Sequence, residues 1–185
     1  MITKAAKQAV QTYITYPKAN NTNTAIPSFP NDPVKDVDGN NRWVSFGTAD
    51  FLSSVNMQTA NNKNDGIHFG SGTTAPTEND YYLQTPITSY LGATLQTSVR
   101  GVDSLGKPYM EFRITVTNNS TTSNMTIAEI GLISRDIWSC TSSTGTSVGQ
   151  YNMLVDRTLL EQPIVLSPLQ TGSIRYRITC DMSFS

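Results

Sequence analysis

Few side chains in this sequence are of a type, and at a spacing, that could do chemistry. His68 is the only histidine. It stands between Ile67 and Phe69 in a short apolar run, and a nucleophile–base triad built on it would need a serine and a carboxylate that no motif places. Glycoside hydrolysis needs only an acid and a base at a fixed separation, so Glu78 with Asp80, or Asp103 with Glu111, are the carboxylate pairs to weigh for that role. Acidic residues number only 14, and most fall in turn-like sequence. The Gly70-Ser71-Gly72 stretch is not a phosphate cradle, because no lysine follows at the required spacing and no helical pattern follows closely. Asp36-Val37-Asp38-Gly39-Asn40 carries alternating oxygen ligands and a glycine, as a calcium loop does. It lacks the downstream bidentate glutamate of an EF-hand, and Asp-Gly-Asn is an ordinary turn. Cys140 and Cys180 are too few for a disulfide framework and lack metal-ligand spacing; they read as buried or idle thiols, with a single bridge left open. These residues predict no catalytic group, no metal and no cofactor, which points to a structural or binding protein.

Two charged residues fall where apolar ones are expected. Read at a period of two, Glu129 shares a strand face with Ile127 and Ile133, and Arg157 shares one with Met153, Val155 and Leu159. A lone buried charge is costly unless paired, so Glu129 and Arg157 are expected to meet across adjacent strands; the alternative puts each at a strand end in water. The segment 67–87 joins two apolar runs through a loop of fixed-looking chemistry. Gly70 and Gly72 permit backbone angles closed to other residues there, and Pro76 fixes the exit.

The elements that must position these residues are mostly strands. Of the 185 positions, 59 are Ser, Thr or Asn, and only 15% are charged. Thr favours strands while Asn and Ser favour turns, so the composition predicts an all-β protein with many exposed loops. Alternating runs place strands at 43–46, 67–69, 81–83, 93–100, 110–117, 125–134, 152–159, 163–166 and 173–184, about nine in all. In 93–100, Ala93, Leu95, Thr97 and Val99 are expected on one core-facing side. Short strands with one wet face and no internal repeat predict an antiparallel β-sandwich over residues 42–185. Residues 1–41 read as a separate arm: Ile2, Ala5, Ala6, Ala9, Val10 and Tyr13 recur at helical spacing, Pro17 ends the helix, and 18–41 is a linker without periodicity. A helix this short is marginal alone, so it is expected to dock on the domain or on a neighbouring subunit, the alternative being a frayed terminus. A further helical turn capped by Thr48 would bring Phe51, Leu52 and Val55 together. Net charge is −1 with a pI near 5.7, which supplies no basic field for nucleic acid. No run of about 18 apolar residues and no leader pattern occurs, so no membrane partner is expected and the chain reads as soluble and made in a cytoplasm.

Three motifs in consistent order carry a resemblance. Gly70-Ser71-Gly72-Thr73-Thr74-Ala75-Pro76-Thr77, with Asp80, Leu83 and Pro86-Ile87, resembles a Gly-rich, Thr-Pro segment of small virion structural proteins of tailed bacteriophages. Ile127-Ala128-Glu129-Ile130-Gly131-Leu132 resembles the Glu-(Ile/Leu)-Gly-Leu element of such proteins, and Met153-Leu154-Val155-Asp156-Arg157-Thr158 the strand that follows it. The resemblance implies a non-enzymatic β-rich building block of a virion, in a tail, collar, head-tail connector or capsid decoration. Its partners would then be copies of itself and neighbouring virion proteins, and Gly70, Gly72, Pro76, Glu129, Gly131 and Arg157 would be structural residues. The alternative is a fibre or adhesin head whose loops hold host glycans, with Tyr81, Tyr82, Tyr90, Trp43 and Trp138 as stacking candidates.

Overall fold

The computed structural model describes residues 1–15, 31–47, 63, 65–135, 137–145 and 147–179. The expected helical turn at 51–55, Pro17, Cys180 and the end of the last predicted strand lie outside these residues. Among the described residues the protein is all-β with one short helix. Its elements are α1 (Lys4–Thr15), β1 (Val34–Lys35), β2 (Asn41–Gly47), β3 (Gly66–Gly70), β4 (Leu91–Val102), β5 (Pro108–Asn118), β6 (Met125–Ser134), β7 (Ile137–Cys140), β8 (Gly149–Gln150), β9 (Met153–Leu166) and β10 (Thr171–Thr179). All strand pairs are antiparallel, in three sheets ordered β1-β2-β7-β8, β10-β5-β4 and β3-β6-β9.

One core joins them. Phe112, Ile114 and Val116 of β5 and Ile174, Tyr176 and Ile178 of β10 alternate inward. They cluster with Ile67 and Phe69 of β3, Ile130 and Leu132 of β6, and Met153 and Val155 of β9. The middle strand β6 is buried along nearly its whole length. It therefore has a second covered face, where Ile133 clusters with Val37, Leu154 and Tyr82.

Two hairpins share one turn design. Asp36 and Asp103 each accept backbone N–H groups two and four residues ahead, at 2.9 to 3.0 Å. Gly39 and Gly106 complete the turns with φ of 83° and 79°, a region that favours glycine. The Asp36 carboxylate also takes Arg42 Nε at 2.8 Å. The sequence that could mimic a calcium loop thus spends its first carboxylate on a turn and an ion pair.

The structure departs from the period-two reading wherever a bulge intervenes. Between Leu95 and Thr97 the β4–β5 register slips. Thr97 and Val99 therefore stand beside Arg113 and Glu111 on the outer face instead of facing the core, and the far half of β4 is exposed. Residues 81–83 form no strand, and just after them the amides of Gln84 and Thr85 donate to the Glu129 carboxylate. The runs 152–159 and 163–166 are one strand, β9, with a bulge in its pairing to β6 between Leu159 and Ile164. Short strands β7 and β8 flank the Ser/Thr-rich stretch 141–148.

The N-terminal helix packs on its own chain. Thr3 caps it, its hydroxyl accepting the Ala6 N–H at 3.4 Å. Ala5, Ala6 and Ala9 are buried in the main core, and small side chains let the helix lie close against β2 and β9. Met1 to Thr3 run beside β9: Thr3 N–H donates to Val155 O at 3.0 Å and Arg157 N–H to Met1 O at 3.1 Å. Of the two docking sites expected for the arm, the domain's own surface is the one used. Ala9→Leu, at a position with no exposed surface, is predicted to destabilise the whole fold by about 1–3 kcal/mol through overpacking. Chemical denaturation reads this directly, and an unchanged midpoint would mean that the helix does not belong to the core.

Candidate functional site

The most elaborate polar arrangement in the described residues lies on the second face of β6. Bulges build it. The β6–β9 register slips between Ile127 and Glu129 and again between Leu132 and Ile133. The first slip leaves Ile127 in the main core with Ile130 and Leu132 while Glu129 turns to the opposite face. The second sends Met153 and Val155 into the main core and Arg157 to Glu129. The expected pairing of these two charges is realised, but only two of their five expected apolar face-mates stay with them: Ile133 lies on the second face and Leu159 stands opposite Glu129, while Ile127, Met153 and Val155 lie in the main core.

Glu129 has no exposed surface. Its Oε1 accepts the Gly72 and Thr85 N–H groups at 3.1 and 2.7 Å, and its Oε2 accepts Gln84 N–H at 3.2 Å and Arg157 Nε at 2.7 Å. Four donors are what an ionised carboxylate can take. Arg157 then reaches outward, donating from Nη1 to Asp80 Oδ2 at 2.8 Å and from Nη2 to Thr74 O at 3.0 Å. Asp80 is held in turn by Thr77, whose N–H and hydroxyl donate to its two oxygens at 3.0 and 2.8 Å. Burial pushes the Asp80 carboxyl up, but the bonds from Thr77 and the Arg157 guanidinium outweigh it and hold the carboxyl below its usual range.

The result is a loop, 71–85, stapled to two strands by side-chain charge in place of a ladder. Its ends are closed by backbone bonds from Ser71 N–H to Thr85 O and from Ile87 N–H to Phe69 O, at 2.8 and 2.9 Å. Its middle reaches the helix, where Glu78 O accepts Lys4 N–H at 2.7 Å and Glu78 Oε2 pairs with Lys7 at 2.8 Å.

Gly70 and Gly72 are required by space, and Gly131 packs closely under Leu83. Neither Gly70 nor Gly72 is among the positive-φ residues, so the conformational freedom expected of them is not what they supply. A Cβ on Gly70 would come within 2.7 Å of Glu129 Cγ and of Thr85 O. On Gly72 it would meet Gln84 Cβ at 2.8 Å and Glu129 Cδ at 2.9 Å, and on Gly131 it would meet Leu83 Cδ2 at 2.8 Å. The backbone must approach the carboxylate, and only glycine lets it. Pro76 is half-buried between Thr74, which accepts from Arg157, and Thr77, which holds Asp80.

All six residues singled out in the sequence therefore meet in one place, or flank it. Asp80, Thr74, Thr77, Gln84 and Thr85 complete the arrangement without having been assigned a role in it. The spacing Thr77-x-x-Asp80 is a legible signal for reciprocal side-chain to backbone bonding, whereas the bonds to Thr74 O and to the Gln84 and Thr85 amides carry no side-chain signature.

The other candidates disperse. His68 is buried in β3 opposite Gly131, its ring edge-on to Tyr82 with centroids 6.1 Å apart. Glu78 pairs with Lys7, Asp103 holds its turn, and Glu111 is held by arginines. Cys140 is buried, and burial raises its thiol pKa. Tyr81 and Tyr82 line an open groove of 440 Å³ beside Arg157, but one face of each ring is taken by a lysine, Lys35 at 5.1 Å and Lys63 at 5.4 Å. Tyr90 is 62% exposed, Trp43 is half-buried, and the Trp138 side chain lies outside the described residues. No protein-family model, no curated protein and no solved structure matches this chain.

A buried pair of this kind is sensitive to losing one member, because the other is left charged and unpaired. Glu129→Ala and Arg157→Ala are each predicted to cost about 3–5 kcal/mol. The double variant should cost well under their sum, since each single change already breaks the staple. Urea unfolding of the four proteins checks this; additive losses would show that the two charges act independently.

Proposed function

We propose that this chain is a non-enzymatic structural subunit of a bacteriophage virion, of the tail, collar, head-tail connector or capsid-decoration type. In this reading it is made in the host cytoplasm and assembles there with copies of itself and with neighbouring virion proteins. The observation that carries the reading is the convergence of the three motifs behind the resemblance. They lie up to 88 positions apart, yet the Gly-rich loop, the Glu-Ile-Gly-Leu strand and the Arg157 strand form one interlocked unit around Glu129. Motifs that share a structural task support a shared fold-specifying role. The charges in that unit are each bound on several sides, as suits a lock and not an acid or base that must exchange protons with a substrate.

Exposed apolar side chains favour self-association. Val102 and Leu105 are 65% and 78% exposed at the tip of the β4–β5 hairpin, and Tyr90 and Leu169 are 62% and 65% exposed at the opposite end of the same sheet. Contact surfaces at opposite ends suit head-to-tail association, which closes into rings or continues as filaments. A second reading, a fibre or adhesin head that holds host glycans, is favoured by the outer face of that sheet, where Ser, Thr and Arg side chains stand in rows.

Sedimentation velocity at low and moderate salt tests the main reading. A discrete oligomer is expected, reduced in mass by Val102→Glu with Leu105→Glu while the fold is kept. A strict monomer up to about 100 μM, an affinity weaker than about −5 kcal/mol, would contradict assembly through copies of itself.

A further inference from the structure

Residues of β5 and β10 that alternate with the core side chains point outward, and across the sheet they form rows. Thr97, Arg113 and Arg175 make one row; Val99, Glu111 and Arg177 make the next. Arg113 and Arg175 are direct cross-strand partners, and like charges set opposite each other weaken a sheet. One carboxylate serves all three cations. Glu111 takes Arg177 through Nη2 and Nε at 2.6 and 3.1 Å, and its other oxygen lies 3.5 Å from Nε of both Arg113 and Arg175. The shared cations hold the Glu111 carboxyl below its usual range.

The sharing leaves a surplus of positive charge facing outward. The Glu111 side chain is only 5% exposed, whereas those of Arg113, Arg175 and Arg177 are 54%, 64% and 45% exposed. Arg177 is also held in place. Arg177 stacks on Tyr109 at 4.1 Å from the ring centroid, and that ring lies against Gly101, where a Cβ would meet its hydroxyl at 2.7 Å. Around them the face is hydroxyl-bearing, with Thr94, Thr115, Thr117 and Thr171 in the same alternation. A chain of net charge −1 thus concentrates exposed guanidinium groups on one broad sheet surface, where they add nothing to the core.

We infer that this outer face of β4, β5 and β10 binds an acidic polysaccharide, one bearing carboxylate or sulfate groups along an extended chain. Guanidinium forks suit planar or tetrahedral oxyanions, and the hydroxyl rows suit the sugar ring oxygens between them. A second copy presenting the same face would set arginine against arginine, so two-fold pairing through it is disfavoured. The inference rests on the glycan reading above and names its surface, replacing the tyrosines as the contact.

The test is equilibrium binding of the full chain to dextran sulfate, alginate, neutral dextran and duplex DNA at two salt concentrations. The proteins compared are the wild type, Arg113→Ala with Arg175→Ala, and Arg100→Ala, which removes a charge from the other face of β4. Circular dichroism verifies that each is folded. Expected is salt-sensitive binding of the two acidic polysaccharides, weakened by about tenfold or more in the double variant and unchanged in Arg100→Ala. Polysaccharide binding that the double variant leaves intact would overturn this surface and leave the glycan reading standing. Duplex DNA bound as tightly as the polysaccharides would also overturn it, making the face a general polyanion or nucleic-acid surface. No binding to any polymer would overturn both the surface and the glycan reading.

Discussion

A carboxylate without solvent has to be surrounded by donors, and in this protein that requirement organises everything on one side of the molecule. Water would solvate Glu129 at no cost to the fold; burial removes that option, and several kcal/mol are at stake if donors are missing. Three backbone amides and one guanidinium supply them. Because the amides come from a loop and the guanidinium from the neighbouring strand, satisfying one side chain fixes the course of residues 71–85 over β6. Arg157 then carries a second obligation outward, to Asp80 and Thr74, so the loop is held at both its inner and outer margins.

The same requirement explains features that look unrelated. Gly70 and Gly72 are where the backbone must pass the carboxylate without a Cβ, and Leu83 packs against Gly131. The bulges in β6 and β9 rotate Glu129 and Arg157 off the main core while keeping their neighbours in it. The loop also receives the first turn of the helix through Glu78. Helix, loop and central sheet are therefore mechanically continuous, and residues 1–15 are part of the domain's packing.

Much of this is legible in the sequence, and what is not has identifiable physical causes. The bounds of β6 and the alternation of β10 over its described length follow from side-chain pattern alone, because both strands bury a face along their length. The pairing of Glu129 with Arg157 follows from the cost of lone buried charge. Face assignments fail where a bulge adds residues: Thr97 and Val99 turn outward, and Met153 and Val155 part from Arg157. Pattern cannot see a bulge, since the extra residue has no distinguishing chemistry. The strand expected at 81–83 does not form, and the amides just after it, of Gln84 and Thr85, are claimed by a side chain distant in sequence. The glycines are found for the wrong reason, since close approach and positive φ look alike in sequence.

The Glu129 carboxylate, more than the loop's own turns, holds residues 71–85 in place. Amide hydrogen exchange at Gly72, Gln84 and Thr85, compared between the wild type and Glu129→Gln, tests it most directly. The account predicts that these three amides in the wild type are protected to the level of Ile130 and Leu132 in β6, and that Glu129→Gln lowers their protection selectively while β6 stays protected. Exchange of the three amides at exposed-loop rates in the wild type, or protection unchanged in the variant, would contradict it.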